Sequence, residues 1–134
     1  MEKIVRKGIA FDPEQLKEFD RLTKTKGYKN RSEAIRDLIR DSLIYEKQKD
    51  PDKKMVATLT MVFDHHKHDL QHELTHKQHE YSNIIRSTLH VHIDDDNCME
   101  VLILEGKVKD ITKFSDSILA TKGVKHGKLV MTGI

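Results

Sequence analysis

A polar segment near the middle of the chain divides it into two halves with different patterns. Residues 46–54 are all polar apart from Pro51, which interrupts any helix that would run through them. We interpret this segment as a linker. In a chain of 134 residues, of which 34% are charged and 37% hydrophobic, the linker predicts two small domains with modest cores, residues 1–48 and 49–134.

Composition argues against several classes of protein. No apolar run approaches the ~18 residues that a membrane span needs, and the N-terminus has no signal-peptide pattern. The single cysteine, Cys98, excludes an intrachain disulfide and argues against a disulfide-built secreted scaffold. We therefore expect a cytoplasmic protein with no membrane partner. The net charge of +2 gives no strong indication of a nucleic-acid partner.

The first half predicts a strand followed by two helices. Alternating side chains over residues 5–11 favour a short strand. Asp12-Pro13 is typical of a helix N-cap and first turn, and Gly27 is a plausible helix end. Asn30, with Glu33 in capping-box position, predicts the start of a second helix. The apolar stripes of the two helices comprise Leu16, Phe19 and Leu22, then Ala34, Ile35, Leu38, Ile39 and Leu43.

Three such short elements cannot form a stable domain alone. They bury too little surface, and one isolated strand leaves both of its edges unpaired. The simplest remedy is a second copy of the chain, with the two strands paired antiparallel.

The second half predicts a βαββαβ order. This order implies an antiparallel sheet with both helices on one face, so the whole chain falls in the α+β class. The predicted elements are a strand at Met55–Phe63, a helix at about His66–Tyr81, strands at Ile85–Ile93 and Met99–Glu105, a helix at about Lys109–Lys122, and a strand at Lys128–Met131.

Histidine is concentrated in this half, where eight of the nine residues lie between His65 and His92. Five of them share one face of the first predicted helix, opposite Leu70, Leu74 and Tyr81, so they point away from the core of their own domain. The simplest interpretation is a solvated polar face, and extra weak metal sites are the alternative. The five are His65, His68, His72, His76 and His79.

His90-Val91-His92 indicates a metal site. On a strand, side chains two residues apart point the same way, so both imidazoles can bind one ion. Cys98 follows after a turn-rich stretch that would return the next strand beside the first. Two imidazoles and a thiolate favour a transition metal. The alternative is two surface histidines and an unrelated buried cysteine. A histidine of the helical stripe, from this chain or a neighbour, could supply a fourth ligand.

His72-Glu73-Leu74-Thr75-His76 matches the H-E-x-x-H pattern of zinc metalloproteases. In a segment this rich in histidine, the pattern arises easily by chance. A peptidase also needs a third ligand and a substrate cleft, for which a domain of this size has little room. We therefore expect that the protein is not an enzyme.

Several stretches together resemble one known family, the nickel-responsive transcription regulator NikR. They occur in the order and spacing of that family and span nearly the whole chain. The matching stretches are Gly27-Tyr28-Lys29-Asn30-Arg31-Ser32-Glu33-Ala34-Ile35-Arg36-Asp37, Gln78-His79, Leu89-His90-Val91-His92, Asn97-Cys98-Met99-Glu100 and Gly123-Val124-Lys125-His126-Gly127.

The resemblance implies an N-terminal ribbon-helix-helix dimerisation and DNA-binding domain and a C-terminal ACT-like nickel-binding and tetramerisation domain. The expected assembly is a homotetramer, a dimer of ribbon-helix-helix dimers. One Ni(II) per subunit is expected in square-planar coordination at the tetramer interface. By position, the ligands are His79 of the partner subunit with His90, His92 and Cys98, and Gln78 and Glu100 orient them.

The resemblance also implies a double-stranded DNA operator, contacted by the strand pair in the major groove and by the start of the second helix. Glu33 and Asp37 match positions linked to a monovalent cation, with exposed helix carboxylates as the alternative. Lys67 and His68 are further candidates for contact with the DNA backbone. The candidate operator contacts are Arg6, Gly8, Ala10, Asn30, Arg31 and Ser32.

The sequence departs from the family pattern at three places. Gly8 and Ala10 stand where threonine or serine is usual, so only Arg6 keeps a strong donor on that strand face. Lys7 interrupts the inward apolar set. Phe63 stands where tyrosine is common, which removes one hydrogen bond near the metal.

The expected function is a nickel-dependent repressor of nickel-uptake genes. Two alternatives remain at this point. A nickel buffer or chaperone would use the histidine stripe to store metal. A metal-independent ribbon-helix-helix repressor would bind a small organic effector and would have no use for His90, His92 and Cys98 together.

Overall fold

The computed structural model describes residues 3–133, with the exception of the His68 side chain. The chain consists of two compact units, Met1–Ser42 and Leu43–Ile134. The second helix passes through the point of division, and the first two residues of the predicted linker, Glu46 and Lys47, still belong to it.

The first helix, α1 (Pro13–Thr25), begins and ends where the sequence predicts. The Asp12 carboxylate accepts hydrogen bonds from the backbone N–H groups of Glu14 at 2.9 Å and Gln15 at 3.3 Å, which satisfies two donors that a helix start leaves free. After the helix, Gly27 has a φ of 80°, a conformation that glycine adopts without steric cost.

The second helix, α2 (Arg31–Lys47), starts at the predicted cap. The Asn30 side-chain oxygen accepts the backbone N–H of Glu33 at 2.9 Å. The Glu33 carboxylate does not return to the cap, because it pairs with Arg36 on the next turn. Only one half of the predicted capping box therefore forms.

The strand predicted over residues 5–11 requires a second copy of the chain as its partner. Residues 3–12 carry no strand. A strand is defined by hydrogen bonds to a neighbouring strand. Among the described residues of this chain, no segment pairs with residues 5–11. The side chains of Ile4 and Ile9 are 77% and 62% exposed.

The first unit buries little apolar surface. Among residues 3–42, the structure buries only Thr23 and Ala34. Much of the predicted helical stripe is exposed, because α1 and α2 cover only part of each other's apolar surface. The large exposed apolar side chains of this unit are Ile4, Val5, Ile9, Leu22, Leu38 and Ile39.

The second unit is the predicted βαββαβ fold. Its four strands form one antiparallel sheet in the order β2-β3-β1-β4. Every predicted element is present, with ends that differ by zero to four residues. The elements are β1 (Lys54–Asp64), α3 (His68–Glu80), β2 (Ile85–His92), β3 (Asn97–Lys107), α4 (Val108–Leu119) and β4 (Val124–Thr132).

The core of this unit lies between one face of the sheet and the two helices. Alternate residues of β1 and β3 are opposite each other and point into it, as Leu59 and Leu102 do. Leu70 and Leu74 of α3 lie in the core, as predicted, and so does Phe114 of α4.

Gly127 lets β4 approach α4. A Cβ atom there would lie 2.1 Å from Leu119 Cδ2 and 2.9 Å from the Thr60 carbonyl oxygen. A larger residue would push the helix away from the sheet.

The other face of the sheet is not covered within the unit. Its exposed apolar side chains include Leu89, Val91, Ile103 and Val130. Within residues 3–133, no helix combines the length and the apolar character that a membrane crossing requires.

Candidate metal centre

The register of β2 and β3 places the predicted ligands on one face of the sheet. His92 lies opposite Cys98, and His90 lies opposite Glu100. Residues opposite each other in an antiparallel pair share a face, so all four side chains point toward the helix-covered side. The two histidines are exposed because β2 is an edge strand, whereas Cys98 is buried.

The Cys98 sulfur is the centre of a cluster of donor atoms. Its Sγ atom lies 3.2 Å from His65 Nδ1 and 3.5 Å from His92 Nδ1. Burial raises the pKa of the Cys98 thiol, and the negative charge of Asp94 raises it further. The metal-free thiol is therefore protonated at neutral pH, and a metal that binds it must displace the proton.

His65 completes this cluster, whereas the spacing of the histidines predicts it on the helical stripe. That assignment is wrong, because α3 begins at His68 and His65 lies in the preceding turn. The Asp64 carboxylate accepts the backbone N–H of His66 at 2.9 Å and closes the turn. An aspartate directly before the histidine run was the signal for a turn at this position.

His65, His92 and Cys98 can each offer one ligand atom within 4.8 Å of the others. The cluster contains two imidazole nitrogens and one sulfur and no carboxylate. This donor set suits transition metals such as Ni(II), Cu(II) and Zn(II), and it does not suit Mg²⁺ or Ca²⁺, which prefer oxygen. The residues present therefore fit a nickel ion.

His90 lies beside the cluster and is not one of its three members. Its ring centroid is 5.7 Å from that of His92. The rings of His90 and Phe63 are packed edge to face, with their centroids 5.6 Å apart. The Phe63 ring thus takes up the place beside His90 where the family commonly has a tyrosine.

His79 lies on the exposed side of α3, near Thr75, Ser82 and Ile85. The structure does not bring it to the cluster formed by described residues of its own chain. His72 and His76 of the same stripe are also exposed, and His76 forms an ion pair with Glu80 at 3.0 Å when protonated. The side chain of His68 lies outside the described part of the molecule, while Lys67 is exposed.

Gln78 and Glu100 connect α3 to the strands that carry the ligands. The Gln78 side-chain amide donates a hydrogen bond of 2.8 Å to a carboxylate oxygen of Glu100. Glu100 is 8% exposed and lies directly opposite His90 on the neighbouring strand. Gln78, which precedes His79 in α3, is therefore hydrogen-bonded to Glu100, which lies beside His90 in the sheet.

The candidate DNA contacts lie in the first unit. Arg6, Gly8 and Ala10 are all exposed. No atom lies within 4 Å of a Cβ built on Gly8, and its φ is not positive, so the backbone there accepts a side chain.

At the start of α2, Ser32 is exposed, and the Arg31 guanidinium pairs with Asp20 of α1 through contacts of 2.8 and 3.0 Å. This pair lowers the pKa of Asp20 and raises that of Arg31. Residues of the N-terminal segment and the start of α2 line one open concavity in this unit: Ile4, Val5, Lys7, Ile9, Phe11, Arg31, Ser32, Ile35 and Arg36.

The two candidate cation ligands already have side-chain partners. The Glu33 carboxylate accepts from Arg36. The Asp37 carboxylate accepts from the Tyr28 hydroxyl and from Arg40 at 3.3 Å. The hydrogen bond from Tyr28 lowers the pKa of Asp37, and the bond from Arg40 lowers it further.

Fold and site together define a chain with two helices in its first unit and, in its second, a βαββαβ fold that carries a cluster of transition-metal ligands. Residues 8–46 match the family described as ribbon-helix-helix protein, copG family. Residues 56–132 match the family described as NikR C-terminal nickel-binding domain. The chain belongs to the nickel-responsive regulator family, which is a family of transcription regulators and not of enzymes.

Two similar proteins match the sequence of this chain over almost its whole length. The chain is 52% identical over 132 residues to a protein of Pelobacter propionicus described as "putative nickel-responsive regulator", covering 98% of this chain and 95% of that protein. A protein of Thermococcus kodakarensis with the same description is 49% identical over 131 residues, with the same coverage of both chains.

Among solved structures, uncharacterized protein TM1266 of Thermotoga maritima has a TM-score of 0.54 at 19% identity, covering 59% of this chain and 98% of that chain. This likeness concerns the fold.

Proposed function

We propose that the protein is a nickel-dependent DNA-binding repressor of nickel-uptake genes. It works as a homotetramer in the cytoplasm, the compartment that holds the chromosome. Its N-terminal domain, residues 1–48, binds the operator, and its C-terminal domain, residues 49–134, binds one Ni(II) per subunit. The ligands are His90, His92 and Cys98 with His79 of the partner subunit.

The hydrogen bond between Gln78 and Glu100 is the observation that carries this proposal. It links the turn of α3 that bears His79 to the strand position opposite His90, over 2.8 Å. A metal ion bound at His90 would therefore lie next to the hydrogen bond between Gln78 and Glu100, which positions α3. His79 itself is exposed and is free of the cluster in its own chain, as a ligand donated to another chain must be.

The donor set supports nickel as the effector. A square plane of three nitrogens and one sulfur suits Ni(II) or Cu(II), whereas Zn(II) prefers a tetrahedron. Copper binds such sites more tightly in the intrinsic order of affinities, so the response to nickel depends on geometry and on which metal is available.

The exposed apolar surface of the first unit supports DNA binding by a dimer. A second N-terminal segment that paired with residues 5–11 would complete a two-stranded ribbon for the major groove. Arg6, Gly8 and Ala10 would then face the base edges. Asn30, Arg31 and Ser32 would present the N-terminus of α2 to a phosphate.

Metal binding regulates DNA binding by a shift of population. Joining His79 of the partner subunit to the other three ligands stabilises one arrangement of the chains, and the operator selects that arrangement. Glu33 and Asp37 remain candidates for a monovalent cation, which would have to displace their present partners Arg36, Tyr28 and Arg40. Lys67 and His68 are further candidates for contact with the DNA backbone.

Operator binding with and without stoichiometric nickel tests the proposal. We expect tight binding only with nickel, together with a sulfur-to-nickel charge-transfer absorption that is lost in Cys98→Ala. Equal affinity for the operator in both conditions would contradict it. The variant His79→Ala distinguishes the proposed repressor from its two alternatives. The proposed repressor loses nickel-dependent operator binding, a metal-independent repressor keeps its operator affinity, and a nickel buffer does not bind the operator in either form.

A further inference from the structure

We infer that Lys77 positions the turn of α3 that carries His79, by joining α3 to the C-terminal end of α4. Lys77 itself binds no metal, because an ammonium group has no lone pair to offer. It is a positioning residue, which acts on nickel binding through the helix that both residues share. Its effect on nickel rests on the proposed function, in which His79 is a ligand, whereas its contacts with α4 do not.

The ammonium group of Lys77 is held by polar partners on α4. The Lys77 side chain is only 23% exposed. Its Nζ atom donates to the Ser117 carbonyl oxygen at 3.0 Å and to the Thr121 hydroxyl oxygen at 2.9 Å. Glu73, one turn earlier in α3, lies 3.6 Å away and is half exposed, so this ion pair contributes little. The contacts with α4 therefore decide where the side chain lies.

Lys77 also completes the end of α4. The backbone N–H of Thr121 donates to the Ile118 carbonyl at 3.1 Å, so it does not continue the helical pattern to Ser117. The Ser117 carbonyl accepts instead from the Thr121 hydroxyl at 3.0 Å and from Lys77. The last turn of α4 has no basic residue of its own. Lys77 thus supplies the positive charge that a helix C-terminus favours.

The last turns of α3 depend on polar contacts more than on burial. Leu70 and Leu74 hold the earlier turns in the core, but none of the side chains of residues 75–80 is buried. Tyr81 packs against Phe114 only after the helix has ended. The side chains of residues 77 and 78 therefore carry much of the attachment of this segment.

Lys77 and Gln78 attach α3 on two sides. Gln78 donates to Glu100 of β3 at 2.8 Å, while Lys77 donates to α4. Adjacent residues of a helix point about 100° apart, so the two contacts together restrict rotation of the helix about its axis. His79 follows directly and is exposed. The position of its imidazole is therefore set before any metal arrives.

This arrangement has a consequence for affinity. In the proposed function, His79 has to meet three ligands that belong to another chain. If the contact with α4 is lost, only a fraction of the chains presents His79 correctly, and the apparent Kd rises by the inverse of that fraction.

Lys77→Met tests the inference in the full-length protein, because it keeps the apolar stem and removes the ammonium. We expect nickel affinity to fall by about tenfold, the lower end of the loss for groups that orient a ligand, in a competition titration. The charge-transfer band should still form at saturation, since Cys98 is untouched. Lys77→Arg keeps a charged donor and should restore the affinity. Lys113→Met, at an exposed position of α4, removes the same charge and should bind as wild type.

Amide hydrogen exchange of the metal-free protein separates positioning from a general loss of stability. In Lys77→Met, exchange should accelerate in residues 77–80 and stay unchanged in β3. The inference is overturned if Lys77→Met binds nickel as wild type does, if Lys77→Arg is as weak as Lys77→Met, or if exchange accelerates throughout the unit. Failure of the proposed function gives a different result, in which His79→Ala itself binds nickel as tightly as wild type. Exchange in residues 77–80 then still tests the contact between Lys77 and α4.

Discussion

The two units of this chain differ in how they obtain a core. In residues 43–134, one cluster of buried side chains joins the sheet to α3 and α4, with Phe63, Leu59 and Phe114 almost fully enclosed. In residues 3–42, the structure buries only Thr23 and Ala34, and Leu38 and Ile39 are more than half exposed. The second unit therefore has a hydrophobic core of its own. The first unit has no comparable core, and much of its apolar surface is exposed.

This difference assigns different sources of stability to the two units. Burial of apolar surface stabilises a fold by about 25 cal/mol per Å², so a unit that buries little must gain the rest by association. A second copy of the chain is the partner that the ribbon-helix-helix match favours. We expect the fold of the second unit to depend on packing within the chain, and the fold of the first unit to depend on the partner copy.

Phe114→Ala tests the core of the second unit and has the largest expected effect on stability. Phe114 is fully buried and packs against Tyr81, with ring centroids 5.0 Å apart. Its truncation should lower the free energy of unfolding by about 3–5 kcal/mol, measured by urea denaturation. Lys113→Ala, an exposed position on the same helix, should change it by less than about 0.5 kcal/mol. Similar losses in both variants would show that this unit is not held by its own interior.

Gln78→Ala tests whether the contact between α3 and Glu100 supports metal binding. It leaves the buried Glu100 carboxylate without its partner, and we expect nickel affinity to fall by about 10–100-fold. Calorimetric or competition titration measures the change. Glu73→Ala on the exposed side of the same helix is the control. An unchanged affinity would contradict a role for this contact.

Protein concentration should separate the two units. If a second copy completes the first unit, each tenfold dilution of the dimer weakens α1 and α2 by about 0.7 kcal/mol per chain, which is about 1.4 kcal/mol per dimer. Amide hydrogen exchange would show this loss of protection in α1, while α4 keeps the protection that its own core provides. Ile39→Lys should expose α1 at all concentrations. If the protection of α1 does not depend on protein concentration, the first unit does not gain its stability from a second copy of the chain.

Gly8→Thr sharpens the role of the N-terminal segment. The backbone at Gly8 has room for a side chain, and a threonine hydroxyl there can hydrogen-bond to base edges. We expect operator affinity to rise by about threefold to tenfold, since a good base contact is worth about 1–3 kcal/mol when bidentate and less for one hydroxyl. Nickel affinity should not change, and a mobility-shift titration at fixed salt measures the effect. Unchanged operator binding would show that this position does not face DNA.

Tyr28→Phe has the smallest expected effect. The Tyr28 hydroxyl lowers the pKa of Asp37 below its ordinary value of 3.8, so the interaction contributes stability above that pH and loses it as the pH falls through the lowered pKa. Removing the hydroxyl should raise the pKa of Asp37 toward 3.8. An NMR pH titration of the Asp37 carboxyl measures this. A pKa that stays unchanged would show that the cations Arg40 and Lys26 are responsible.

Local signals predicted most of the fold. Asp12, Asn30 and Gly27 act within a few residues of themselves, and the helix boundaries they predict are present. Alternation in β1 and β3 predicts which side chains face the core, because side chains of a strand alternate whatever the partner. The strand over residues 5–11 is absent from the single chain for the opposite reason: its hydrogen bonds depend on a second copy of the chain.

The candidate site divides along the same line. The sequence by itself determined that His90 and His92 share a face and that Cys98 returns beside them, since strand periodicity and a short turn are local properties. Only the tertiary structure decided that His65 leaves the helical stripe and contacts the Cys98 sulfur, because that contact depends on the pairing of β1 with β3 and on a turn held by Asp96. Pairing across distant segments has no signature in the spacing of residues.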